Sequence, residues 1–198
     1  MLHRLMVLVV VVCVAAPLLA ETTFPSDPEL NQLAHPHYYT WGLDWTPPAD
    51  QALTKLTLTY RALENLDEPE SADHLYTHLL PSAPTGVTVY DDQSAGYSDD
   101  FTNWGEETLL LGDYSHPDGS GSVDVVYEVP LRDGSGNPTP YLAWVADGNF
   151  GIGIDPDCLF VNGGIGVGVG GAVPEPSVAL LGLSALGISG LLRRRKPT

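Results

Sequence analysis

The sequence predicts an all-β protein, an antiparallel β-sandwich of jelly-roll-like character flanked by an N-terminal signal peptide and a C-terminal transmembrane helix. Three observations lead there. Glycine, proline, Asn and Asp punctuate the middle of the chain about every ten residues, with short β-branched and aromatic runs between them. Those runs give eight candidate strands and no amphipathic helix, so nothing is available to carry the crossovers of a parallel sheet. Both chain ends are uncharged apolar segments beside basic residues.

Residues 1–20 have the form of a signal peptide. His3 and Arg4 precede an apolar run that ends in the small residue Ala20, with polar Glu21 next. The expected route is the general secretion machinery and signal peptidase. The clearest strand covers residues 53–63, where Leu56, Leu58, Tyr60 and Ala62 fall on one face and Lys55, Thr57, Thr59 and Arg61 on the other. Further strands are expected at 74–80, 86–90, 108–111, 122–129, 141–146, 150–154 and 164–169, with loops at 113–121 and 132–140. The domain boundaries follow as 21–165 for the sandwich and 166–172 for a glycine-rich spacer. The last 26 residues, 173–198, form a separate tail.

In the tail, residues 177–192 carry no charge and form a helix of about 24 Å at 1.5 Å per residue. That is shorter than a hydrocarbon core of about 30 Å, and snorkelling by Arg193 with local thinning closes the difference. Arg4 at one end and Arg193, Arg194, Arg195 and Lys196 at the other both belong on the cytoplasmic side, which puts everything between them outside the cytoplasm.

Charge narrows the function classes. Residues 21–171 contain three basic residues, Lys55, Arg61 and Arg132, against 24 acidic ones, a net charge of −21. Such a surface repels phosphate backbones and excludes nucleic acid as a partner. Removal of Cys13 with the signal leaves Cys158 alone, without an intrachain disulfide and in the role of a small buried side chain.

Few residues point to chemistry. His35 and His37 stand two apart, and His74 and His78 stand four apart behind Asp73; on a strand His74, Tyr76 and His78 share one face as polar surface positions. In "DGNFGIGIDPDCLF", Asp147, Asn149, Asp155 and Asp157 offer oxygen ligands for calcium if a loop gathers them, although Asp-Pro-Asp equally makes a turn. Trp41, Trp45 and Trp104, close to acidic and amide groups, are candidates for stacking on a glycan as well as for the core. No glycine-rich phosphate loop and no Gly-x-Ser-x-Gly elbow occurs, so the residues make no positive case for an enzyme.

Val173, Pro174, Glu175 and Pro176, the apolar segment and the terminal Arg193 to Lys196 cluster resemble, in that order, the PEP-CTERM sorting signal, also catalogued as an ice-binding-protein C-terminal domain. The resemblance implies recognition by an exosortase, a membrane protease or transpeptidase acting near Pro-Glu-Pro, and delivery toward the envelope or matrix. It says nothing of antifreeze activity, since the chain has no regular Thr-x-Thr ladder. The expectation is a non-enzymatic exported protein, anchored in the inner membrane until sorted to the cell surface or extracellular matrix and associated with exopolysaccharide. The alternatives are a calcium-dependent carbohydrate-binding module and, more remotely, a glycoside-acting enzyme.

Overall fold

A computed structural model describes residues 19–25, 27–66, 73–92, 98–105, 107–115 and 121–172. The sorting motif, its basic cluster, the helix expected at 177–192 and most of the signal peptide lie outside the described residues. Among those described, no helix is long and apolar enough to cross a membrane.

The chain forms β1 (Leu19–Phe24), β2 (Gln32–Leu33), β3 (His37–Asp44), β4 (Ala52–Asn65), β5 (His74–Leu80), β6 (Gly86–Asp91), β7 (Leu109–Ser115), β8 (Val123–Pro130), α1 (Pro140–Ala146), β9 (Asn149–Pro156), β10 (Phe160–Val161) and β11 (Ile165–Ala172). Sheet one runs β1-β11-β4, with β8 on the other side of β4 and the short pair β10-β2 continuing from its end; sheet two runs β6-β3-β9-β5-β7. Every named pairing is antiparallel. The all-β, two-sheet expectation therefore holds.

Alternation explains how the sheets meet. Leu56, Leu58 and Tyr60 of β4 and Ile165, Val167 and Val169 of β11 pack from sheet one against Tyr39, Trp41, Leu75, Leu79, Phe150, Ile152 and Ile154 of sheet two in one buried cluster. The Tyr60 hydroxyl crosses between the sheets to Thr77 Oγ1 at 2.9 Å, which satisfies both groups inside the core.

The alternation in β4 breaks where the sequence reading carried it on. Ala62 adopts φ 46° and the register with β8 shifts between Tyr60 and Leu63. This bulge, held by a hydrogen bond from Ala62 N–H to Asp124 Oδ1 at 2.7 Å, turns Ala62 to solvent and buries Leu63 instead.

Two expectations are corrected. Residues 141–146 are helical, within α1: Pro140 starts the helix after Thr139, and Val145 points into the core. A run as short as PYLAWVA reads as either element, and the leading proline decides it. Residues 166–172 are not a spacer but most of β11, which lies between β1 and β4. Its sequence IGVGVGGA alternates, placing valines inward and glycines outward, so the glycines mark a smooth outer surface rather than a hinge. The aromatic stretch 37–44 is the full strand β3, and the loop expected at 113–121 begins as the end of β7.

Candidate functional site

The outer face of sheet two is built in cross-strand rows. Tyr90, Tyr38, Asp155, Tyr76 and Asp113 lie abreast on β6, β3, β9, β5 and β7. One step toward β5's start, Asp157 N–H donates to His74 C=O at 2.9 Å. One step the other way the row is Thr40, Gly153 and His78.

A short 3-10 turn, residues 100–103, lies over the middle of this face. Phe101 stacks where Gly153 leaves room: a Cβ on Gly153 would stand 2.7 Å from the Phe101 ring. Leu80, Ala83, Tyr38 and Trp104 complete this second small core. The turn is tied down from both sides. Asp155 Oδ2 accepts from Asp100 N–H at 2.7 Å, and Asp99 accepts from Phe101 N–H while its other oxygen lies 2.9 Å from His78 Nε2. His78, expected as a surface position, is consequently buried.

This cover changes the acidity of the face. Burial pushes the Asp155 carboxyl up to about 7, with Asp100, Asp157 and Asp92 adding repulsion and the Asp100 N–H opposing it. Asp157 is raised to about 6, again by burial first, while His74 and His35 pull it down. Asp155 Oδ1 and Asp157 Oδ2 have no hydrogen-bond partner among the described residues. Around them, the His35 Nδ1–H donates to the Asp157 carbonyl at 2.5 Å, His74 Nδ1 contacts Asp113 Oδ1 at 2.6 Å, and the His74 ring stacks on Tyr76. Tyr38 stacks on Tyr90, and Trp104 meets both edge-on. The result is an acidic centre between two half-buried aromatic groups.

The structure parts the four expected calcium ligands. Asp147 and Asn149 stand at the start of β9, where Asp147 Oδ1 accepts from Asn149 N–H, and Asp155 and Asp157 stand at its far end, roughly 20 Å of strand away. Among the described residues no three His, Cys, Asp or Glu side chains converge to hold a metal. The tryptophans divide as well. Trp41 is in the core and offers no stacking face; Trp45 packs against the core with Nε1–H on the Val145 carbonyl. Trp104 keeps a half-exposed ring, beside a cleft of about 450 Å³ lined by Ser82, Ala83, Pro84 and Asn149. Another groove, about 550 Å³, follows the β11 glycines on sheet one between Thr23 and Thr57, with Glu21 and Arg61 also on its walls. Tyr76 and Tyr90 were not candidates in the sequence; the period-two set His74, Tyr76, His78 was the signal for the first, while Tyr90 needed the β3–β6 register. Cys158 is buried, with its thiol on Asp73 Oδ1.

Among curated proteins none matches the chain. Residues 172–196 match the family model of the PEP-CTERM protein-sorting motif, which begins on the last residue of β11. The chain thus carries, directly behind a two-sheet β domain, the motif of exported proteins that an exosortase recognises.

Proposed function

We propose that this is a non-enzymatic envelope or matrix protein, held at the inner membrane by its C-terminal segment until an exosortase processes it, and that its sandwich meets exopolysaccharide through the outer face of sheet two. The observation that carries the reading is the sorting motif fused without a linker to the sandwich. Setting aside β2, β6 and β10, the remaining strands run first-eighth-third-sixth in one sheet and second-seventh-fourth-fifth in the other. This is a jelly-roll order, an architecture that lectin domains use. Half-exposed Tyr38, Tyr90 and Trp104 beside the partly exposed Asp100 combine stacking faces with a hydrogen-bonding group, as sugar contact requires.

Comparison of matrix and membrane fractions from cells with and without an active exosortase tests it. Mass spectrometry should find a C-terminus near Pro174–Pro176 in the matrix fraction of the first, and an intact tail ending at Thr198 there would refute processing. Retention on the cells' own polysaccharide should fall at least fivefold in the Tyr90→Ala/Trp104→Ala double variant. Unchanged retention removes this face as the contact.

A further inference from the structure

The register of β1 with β11 pairs Glu21, the first residue after the expected signal-peptide cleavage, with Gly170, and Thr22 with Val169. The chain therefore enters and leaves the sandwich side by side, about 5 Å apart. The sorting motif starts at 172, and the uncharged stretch starts at 177. Five residues reach at most about 18 Å, so this end of the domain stands close to whatever holds the tail.

The same end has a distinct chemistry. Thr54 Oγ1–H donates to the Gly170 carbonyl, Leu131 N–H to Thr54 C=O, Arg132 Nε–H to Leu53 C=O, and Thr139 N–H to Leu131 C=O, which brings the start of α1 beside the end of β11. On α1, Tyr141 and Trp144 form an edge-to-face pair at 5.3 Å, both half-buried, and Trp45 is pinned to the helix through Val145. Lys55 and Arg132, two of the domain's three basic residues, are also here, Lys55 paired with Glu128, together with the carboxylates of Glu21, Asp50 and Asp133. The opposite end carries Asp155, Asp157, Asp92 and the β5–β7 pair His74–Asp113. Amphipathic rings at the end of the domain nearest the tail suit the headgroup interface of a bilayer.

We propose that the β1–β11 end, with α1 and the 45–51 segment, is a lipid-contacting surface: while the tail is in the membrane, the domain rests on phospholipid headgroups through Tyr141, Trp144 and Trp45. The acidic and aromatic face of sheet two then has its Asp155–Asp157 end directed away from the membrane. The proposal rests on the reading of the tail as a membrane anchor.

The test uses the chain with its tail, reconstituted into vesicles of zwitterionic and anionic phospholipid without exosortase. A fluorophore is placed on Ser135→Cys, in the loop before α1, or on Ser122→Cys, at the far end beside the start of β8; both positions are exposed. Flotation with the vesicles reads anchoring, and quenching by headgroup-spin-labelled lipid reads orientation. The expected result is flotation of both, with quenching at least threefold stronger at position 135 than at 122. A chain that does not float overturns the anchoring reading and the proposal with it. Flotation with equal quenching, or with stronger quenching at 122, overturns the proposal alone, as does a contrast that appears only when exosortase is added.

Discussion

Asp155 shows how one residue's surroundings set a property of the whole domain. Its carboxyl titrates near 7 when folded and near 3.8 as an ordinary aspartate, so between those values the folded state holds a proton that the unfolded chain has lost. Folding stability from this group is therefore highest below about pH 4 and falls as pH rises toward 7. Asp157, raised to about 6, acts in the same direction over a narrower window. Asp155→Asn keeps an oxygen for the Asp100 N–H and removes the charge. The variant should melt about 2–4 °C above the parent at pH 8, for ~1 kcal/mol, and lose much of the slope between pH 4 and 7. Melting curves parallel to the parent's at every pH would show that the carboxylate carries no such penalty.

At the scale of elements, β11 is where sequence and structure differ most instructively. Its glycines read as a spacer because glycine disfavours strands on entropy, yet Val167 and Val169 are almost fully buried and the strand is paired on both sides. A chain ending at Gly164 should therefore fail to melt cooperatively by circular dichroism, whereas one ending at Ala172 should keep the parent's transition. Equal transitions would return the segment to the status of a spacer. Gly166→Val offers a gentler check. Nothing lies within 4 Å of a Cβ there, and a β-branched residue suits a half-buried strand position, so stability should change by less than about 0.5 kcal/mol or rise. Gly153→Val, which must displace Phe101, should cost about 1–3 kcal/mol, measured by urea unfolding. Helix α1 departs from the strand expectation for a different reason: seven residues with two aromatics and a valine satisfy either period, and Pro140 at the first helical position, with Val145 turned into the core, favours the helix.

For the molecule as a whole, 24 acidic residues against three basic ones over residues 21–171 leave the surface self-repelling, and Lys55–Glu128 at 2.5 Å is the one Lys or Arg ion pair among the described residues. Raising NaCl from 10 to 150 mM shortens the screening length from about 30 to about 8 Å and should raise Tm by about 2–5 °C; a fall would mean that the carboxylates are held in attractive pairs. By itself the sequence determined the properties that are local or additive along the chain: an exported acidic protein, a sorting motif in its last residues, and a set of strands whose period of two shows in β4, β5 and β9. Only the tertiary structure decided which residues meet. It separated Asp147 and Asn149 from Asp155 and Asp157 along one strand, sent Trp41 inward, and set Tyr38, Tyr76 and Tyr90 in line with Asp155. It also placed the first and last strands of the described residues, β1 and β11, side by side. Those relations depend on pairing between strands far apart in sequence, and register across a sheet is written in the packing of its two faces, not in the spacing of any one segment.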